Sequence, residues 1–167
     1  MAAISQSDKN EILRLVGGIV LTSQDVERYL KHVLPYIGNG ELSVSSQIAR
    51  HEKLKKRMLG LLVGELVDSS TSDSLDFSQH MARIVHDRNQ VVHHFNETYG
   101  QQLSTGSADE VKASLQSVLA NLTNLKSVTE QMMAIVLEGL RDITFANTPE
   151  QTQMADLCAS FRQQIAS

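Results

Sequence analysis

An all-α fold is predicted for this 167-residue chain by three observations. Apolar residues recur at helical spacing through five successive segments, and no stretch shows the strict alternation of a strand. Turn formers and aromatics are scarce, with 9 Gly, 2 Pro, no Trp and 4% aromatic residues. β-Sandwiches and barrels need such residues in their turns and strands. The reading is a five-helix bundle with a long fourth helix, forming one domain over residues 1–167. The chain is long enough to bury a core without a disulfide or metal staple.

The first helix is expected over residues 7–37. Ser7 or Asp8 caps it with Glu11 following, and its stripe is Ile12, Leu15, Val16, Ile19, Val26, Leu30, Val33, Leu34 and Ile37. Gly17 and Gly18 weaken it locally and allow close approach of another helix. Gly38-Asn39-Gly40 ends it, because these residues take left-handed geometry readily. A linker over 41–46 leads to a second helix over 47–67, whose stripe is Leu54, Met58, Leu61 and Leu62, with Gly60 and Gly64 four apart. Residues 68–74 form a polar loop, and a third helix covers 75–99. A loop over 100–107 contains Gly106. Ser107 and Glu110 then form a capping box for the fourth helix. Its stripe runs Val111, Leu115, Val118, Leu122, Leu125, Met132, Val136, Leu140 and Ile143. At almost 40 residues it would be on the order of 60 Å long, so its far end is expected to pack on a partner chain. Pro149 opens the fifth helix, with Met154, Leu157, Cys158, Phe161 and Ile165 on its inner face.

Charge and cysteine content narrow the function classes. The net charge of -4 speaks against a globally basic nucleic-acid binder but leaves room for a local basic patch. Few aromatics speak against a stacking platform for single strands. The lone Cys158 excludes an internal disulfide and a cysteine-based zinc site, so a reducing compartment is the default. The apolar runs are too short to span a membrane, and the first dozen residues lack a signal-peptide pattern. A soluble, cytoplasmic protein without a cofactor is expected.

Two charges stand where apolar residues belong. On the wheel of the third helix Met81, Ile84, Val85, Val91, Val92, Phe95 and Tyr99 share a sector of about 120°, and Arg88 lies in its middle. A buried guanidinium needs a partner. Glu65, on the second helix between Met58 and Leu61, is the first choice; Glu27, at the edge of the first helix's stripe, is the alternative. His86, Asn89, His93 and Glu97 line a neighbouring polar stripe. The bland alternative is that Arg88 ties helices together and the histidines are solvated. A metal site on His86, Asn89 and His93 is weak, because neither H-E-x-x-H nor a repeated Glu-x-x-His pattern is present. Residues 50–57 crowd basic charge (Arg50, Lys53, Lys55, Lys56, Arg57) into the start of the expected second helix. That is the end where the helix dipole favours acids, and RNA phosphate would compensate it.

The segment Arg88-Asn89-Gln90-Val91-Val92-His93 resembles the signature of the HEPN superfamily (higher eukaryotes and prokaryotes nucleotide-binding). That signature is an arginine, often followed by a polar residue, with a histidine four to six intervening residues later on a helix of an all-α bundle. The resemblance implies a homodimer with two motifs facing a shared cleft. It also implies a metal-independent endoribonuclease, frequently a toxin or phage-defence effector with an antitoxin or regulatory protein partner. Other members are inactive and serve as interaction or regulatory modules that bind a protein, nucleotide or RNA. Carried onto this chain, the catalytic residues are Arg88, Asn89 and His93. His94 is an alternative to His93, Glu65 holds Arg88, and Lys53, Lys55, Lys56 and Arg57 are candidate RNA contacts. Histidine suits proton transfer near neutral pH, and the arginine fork suits charge on a phosphate.

Overall fold

The computed structural model describes residues 4–37, 43–70 and 75–166, and every regular element among them is helical. The order is α1 (Gln6–Val33), a 3-10 turn (Leu34–Tyr36), α2 (Val44–Leu54), α3 (Leu59–Ser69), α4 (Leu75–His93), α5 (Phe95–Thr105), α6 (Ala108–Gly139), a π turn (Leu140–Thr144) and α7 (Gln151–Ala166). The all-α expectation holds. The expected second and third helices are each divided in two, which gives seven α-helices among the described residues instead of five.

The spine of the bundle is α1 against α6. Ile12, Leu15, Ile19, Val26, Leu30 and Leu34 from the first helical segment meet Val111, Leu115, Val118, Leu122 and Leu125 of α6 in one hydrophobic cluster. α2, α3 and α4 add Leu54, Leu59, Leu62, Val63, Leu66, Met81, Ile84 and Val91 to it. At Gly18, an added Cβ would lie 3.4 Å from a Leu119 methyl, an ordinary contact between α1 and α6. Gly60 is the tighter position, where α3 meets α4, with Val85 at 3.3 Å from such a Cβ. Outside the core, Lys112 bridges Asp8 and Asp109 and ties the start of α1 to α6.

The boundaries correct several expectations. Ser5, not Ser7 or Asp8, caps α1, its hydroxyl accepting from the Asp8 N–H. Gly38-Asn39-Gly40 and residues 71–74 of the polar loop lie outside the described residues. The expected helix over 47–67 breaks between Leu54 and Leu59. Both leucines are buried, Leu54 as the last residue of α2 and Leu59 as the first of α3. Of the expected stripe, Leu54 and Leu62 are buried and Met58 and Leu61 are not. Leu59, Leu62, Val63 and Leu66 face inward, whereas Met58 and Leu61 are 66% and 62% exposed.

The third helix is interrupted at His94, a residue with φ -127° and ψ 27°, after which α5 continues through Gly100 to Thr105. Tyr99 of α5 is buried, rests 5.2 Å from Phe95 and hydrogen-bonds Ser114 of α6. The expected loop over 100–107 is therefore mostly helix. Gly106 closes it with φ 86°, a left-handed conformation that glycine adopts without strain. Ser107 occupies the N-cap position of α6 but makes no side-chain cap bond, so the expected capping box does not form.

One side of the far end of α6 is covered by α7, while Val128 and Ile135 are 54% and 64% exposed. Buried Cys158 lies on the inner side of α7, Phe161 meets Tyr29 edge-on at 6.2 Å, and Arg162 forms a two-armed ion pair with Glu138 at 2.8 and 3.0 Å. Pro149 lies in the turn before α7 rather than in its first turn. Past Leu125 the expected stripe drifts. Thr129, Ala134 and Leu137 are buried, while Ile143, in the π turn, is 84% exposed. Leu122→Ala should therefore destabilise the protein by about 2–5 kcal/mol. Ile143→Ala should change stability by no more than about 0.5 kcal/mol. Denaturant unfolding checks the pair, and similar losses at both positions would contradict this packing.

Candidate functional site

The site is assembled where α1, α3 and α4 meet. α3 starts at Leu59, and its N-cap residue, Met58, has no side chain able to accept a hydrogen bond from the first turn. Glu27 of α1 fills that role. Its Oε1 accepts the Leu59 N–H at 3.2 Å, placing a carboxylate at the positive end of α3. The same oxygen lies 3.7 Å from Nη2 of Arg88 on α4. The side chains of Arg88 and Glu27 are only 13% and 20% exposed. Lys31, one turn along α1, approaches the other Glu27 oxygen at 3.8 Å.

The sequence therefore places Arg88 correctly on an inward face but assigns its first-choice partner wrongly. Glu65 does not hold Arg88: its Oε2 accepts from Nη1 of Arg57 at 2.6 Å, across the break between α2 and α3. The reason lies in the same stripe. Glu65 shares its stripe with Met58 and Leu61, which face outward once α3 is a separate helix. Glu27, the alternative, is the partner.

The other end of the Arg88 guanidinium points along α4. Nη1 donates to Oδ1 of Asn89 at 3.1 Å and lies 3.4 Å from Nε2 of His93. A guanidinium only donates, so a hydrogen bond here requires Nε2 as acceptor, in an imidazole that carries its proton on Nδ1. Nε of Arg88 is buried with no hydrogen-bond partner among the described residues. His93 is exposed at the last residue of α4, just before the kink. His94 turns the other way, its Nδ1 lying 2.9 Å from Glu97, and its ring centroid is 6.5 Å from that of His93. Arg88, Asn89 and His93 thus form one contiguous set, with Glu27 behind it and His94 beside it. A groove of about 480 Å³ between α3 and α4 reaches Asn89 of this set, and is lined by Gly60, Gly64, Ala82 and His86 among others.

The basic segment is also repositioned. Lys53 lies in the last turn of α2, not in a first turn, so its charge meets the favourable end of the helix dipole. The electrostatic anomaly expected there is absent. Lys55 is exposed and 3.7 Å from Glu52, Lys56 is exposed in the turn, and Arg57 is occupied by Glu65. Arg50 is structural: its Nη2 donates to the carbonyls of Leu34 and Ile37 at 3.1 and 2.7 Å, fastening α2 to the end of α1.

One feature has no counterpart in the sequence reading. His32, near the end of α1, and His51 of α2 place their ring centroids 5.4 Å apart. Burial, then the neighbouring His51 and Arg28, hold the His32 imidazolium below its ordinary pKa. Residues 19 apart on different helices leave no periodic trace of such a pair. Among the described residues no group of three or more His, Cys, Asp and Glu side chains is placed to hold a metal ion. No helix is long and apolar enough to cross a membrane, among the same residues.

The two glutamates should behave differently. Glu27→Gln removes a carboxylate that serves both a helix start and a mostly buried guanidinium, and should cost on the order of 2 kcal/mol. Glu65→Gln weakens an ion pair whose side chains are 29% and 26% exposed and which serves no helix start, and should cost less than about 1 kcal/mol. Chemical denaturation of both variants checks this, and the opposite ranking would restore Glu65 as the anchor. Compared with models of known protein families, with curated proteins and with solved structures, the chain matches none.

Proposed function

We propose that the protein is a metal-independent endoribonuclease of the HEPN type, acting as a homodimer. The observation that carries this reading is the contact between Nη1 of Arg88 and Nε2 of His93, with the arginine anchored by Glu27. RNA brings its own nucleophile, the 2′-hydroxyl, so the protein needs only to move protons and stabilise charge. An imidazole nitrogen that accepts from Arg88 in the free protein is free to take the 2′-hydroxyl proton once phosphate draws the guanidinium away. As the 2′-oxygen bonds to phosphorus, the bond to the 5′-oxygen breaks. The leaving oxygen takes a proton from the His93 of a second copy facing the same cleft. Arg88 neutralises charge on the non-bridging oxygens, and Asn89, bonded to Arg88, orients the guanidinium. The products are a 2′,3′-cyclic phosphate and a 5′-hydroxyl. A toxin or defence effector held by an antitoxin or regulatory protein in the cytoplasm is the setting that suits such an activity.

A second reading draws on the depth of Arg88. Its pairing with Glu27 is also what a structural tie requires, and the same dimer would then be an inactive module that binds a protein, nucleotide or RNA without cutting.

Incubation of purified protein with total RNA, in the presence of a chelator, separates the two. The nuclease should yield fragments ending in cyclic phosphate. Arg88→Ala and His93→Ala should lower the rate by at least about 100-fold, while His94→Ala changes it little. Absence of fragments from the wild-type protein, or undiminished cleavage by His93→Ala, would remove the enzymatic reading.

A further inference from the structure

We propose that the cleft between α1 and α2 around His32 and His51 is a phosphate-binding groove that carries the RNA backbone to the Arg88 site. The inference rests on the RNA reading above, but its observations are separate. Two hollows meet at the histidine pair. One, of about 280 Å³, is bordered by Gln24, Arg28, Lys31 and Lys55 together with both histidines. Glu27 also borders it, and Glu27 is the residue that contacts Arg88, so the hollow and the candidate site share this carboxylate. The other, of about 230 Å³, is bordered by Pro35, Tyr36, Gln47 and Ile48 as well as the two histidines. A cationic hollow beside one with a tyrosine ring and aliphatic carbon matches a nucleotide unit, phosphate in the first and base or ribose against the second.

The charges around the pair leave it short of anions. Glu27 is engaged by Arg88, Lys31 and the Leu59 N–H. Arg28 has Asp25, which Lys126 of α6 also approaches at 3.2 Å, and Lys55 has the exposed Glu52. No carboxylate faces the two imidazoles themselves in either hollow apart from Glu27. The groups that face His32 are Glu27, Arg28 and Lys31 on its own helix, Tyr36 on the following turn, and His51 and Lys55 on α2. Neither is the closeness of the rings accidental, since Arg50 fixes α2 to the carbonyls at the end of α1. Two imidazoliums so placed repel one another, and an oxyanion between or beside them removes the repulsion. Empty, the site favours neutral His32; occupied, it favours the protonated form. By linkage, affinity for phosphate must therefore rise as pH falls through the ordinary histidine range.

The test uses the full chain carrying His93→Ala, which binds RNA without cutting it, and a short fluorescein-labelled single-stranded RNA. Affinity, read by anisotropy, should rise about tenfold between roughly pH 8 and pH 6. The double substitution His32→Gln with His51→Gln should abolish most of that rise. Lys55→Ala, at an exposed position that leaves folding intact, should weaken binding at both pH values and lower its salt dependence. The same affinity and pH profile in the double variant would overturn the groove. So would NMR titration in which inorganic phosphate shifts the His32 ring signals as fully and at the same concentration as RNA phosphate, since the ligand would then be a small anion. Wild-type cleavage in parallel samples separates the two proposals. PH-dependent binding without cleavage removes the nuclease and keeps the groove, whereas cleavage with unaltered binding in the double variant removes the groove and keeps the nuclease.

Discussion

The Glu27 carboxylate is the constraint on which the site depends. α3 begins after a break, at a residue with no side-chain cap before it, and its first N–H is met from another helix. The oxygen that meets it also faces a guanidinium that is mostly buried on α4. One group therefore fixes where α3 starts, how α4 lies against it and which way Arg88 points. Removing it exposes two faults at once, an uncapped helix end and a charge without a counter-charge. On either side of the break, Leu54 and Leu59 are both buried in the core.

From this anchor the candidate site extends outward along α4. Nη2 of Arg88 is turned to Glu27, and Nη1 is turned to Asn89 and His93, which stands exposed at the helix end. A group held at its buried end and offered at its exposed end is suited to meeting a phosphate with little loss of side-chain freedom. Across the kink at His94 the two histidines have different partners, His93 meeting Arg88 and His94 meeting Glu97. The cleft around His32 and His51 borders Glu27 from the far side, so both proposals draw on one carboxylate and the helices it joins.

How much of this was legible in the sequence depended on whether local periodicity alone decided the matter. The α1 stripe, and the α6 stripe as far as Leu125, were readable because each buries one continuous face, and the inward position of Arg88 followed from the same counting. α3 was misread because it is apolar on two faces. Met58 and Leu61 form one stripe, Leu59, Leu62, Val63 and Leu66 another, and only the packing of α3 on α4 at Gly60 selects the second. That error carried Glu65 inward with it and put basic residues at the wrong end of a helix. The kink at His94 depends on Tyr99 reaching α6, and the His32–His51 pair on Arg50 reaching the end of α1. These are tertiary contacts between distant residues, and nothing in the local sequence encodes them.

The central claim is that Glu27, and not Glu65, sets the position of Arg88. A double-mutant cycle measures it most directly, combining Glu27→Gln with Arg88→Gln and, as a second cycle, Glu65→Gln with Arg88→Gln, each followed by urea unfolding. A coupling of at least about 1 kcal/mol is expected between positions 27 and 88, and about zero between 65 and 88. Additive losses in the first cycle, or coupling confined to the second, would contradict it.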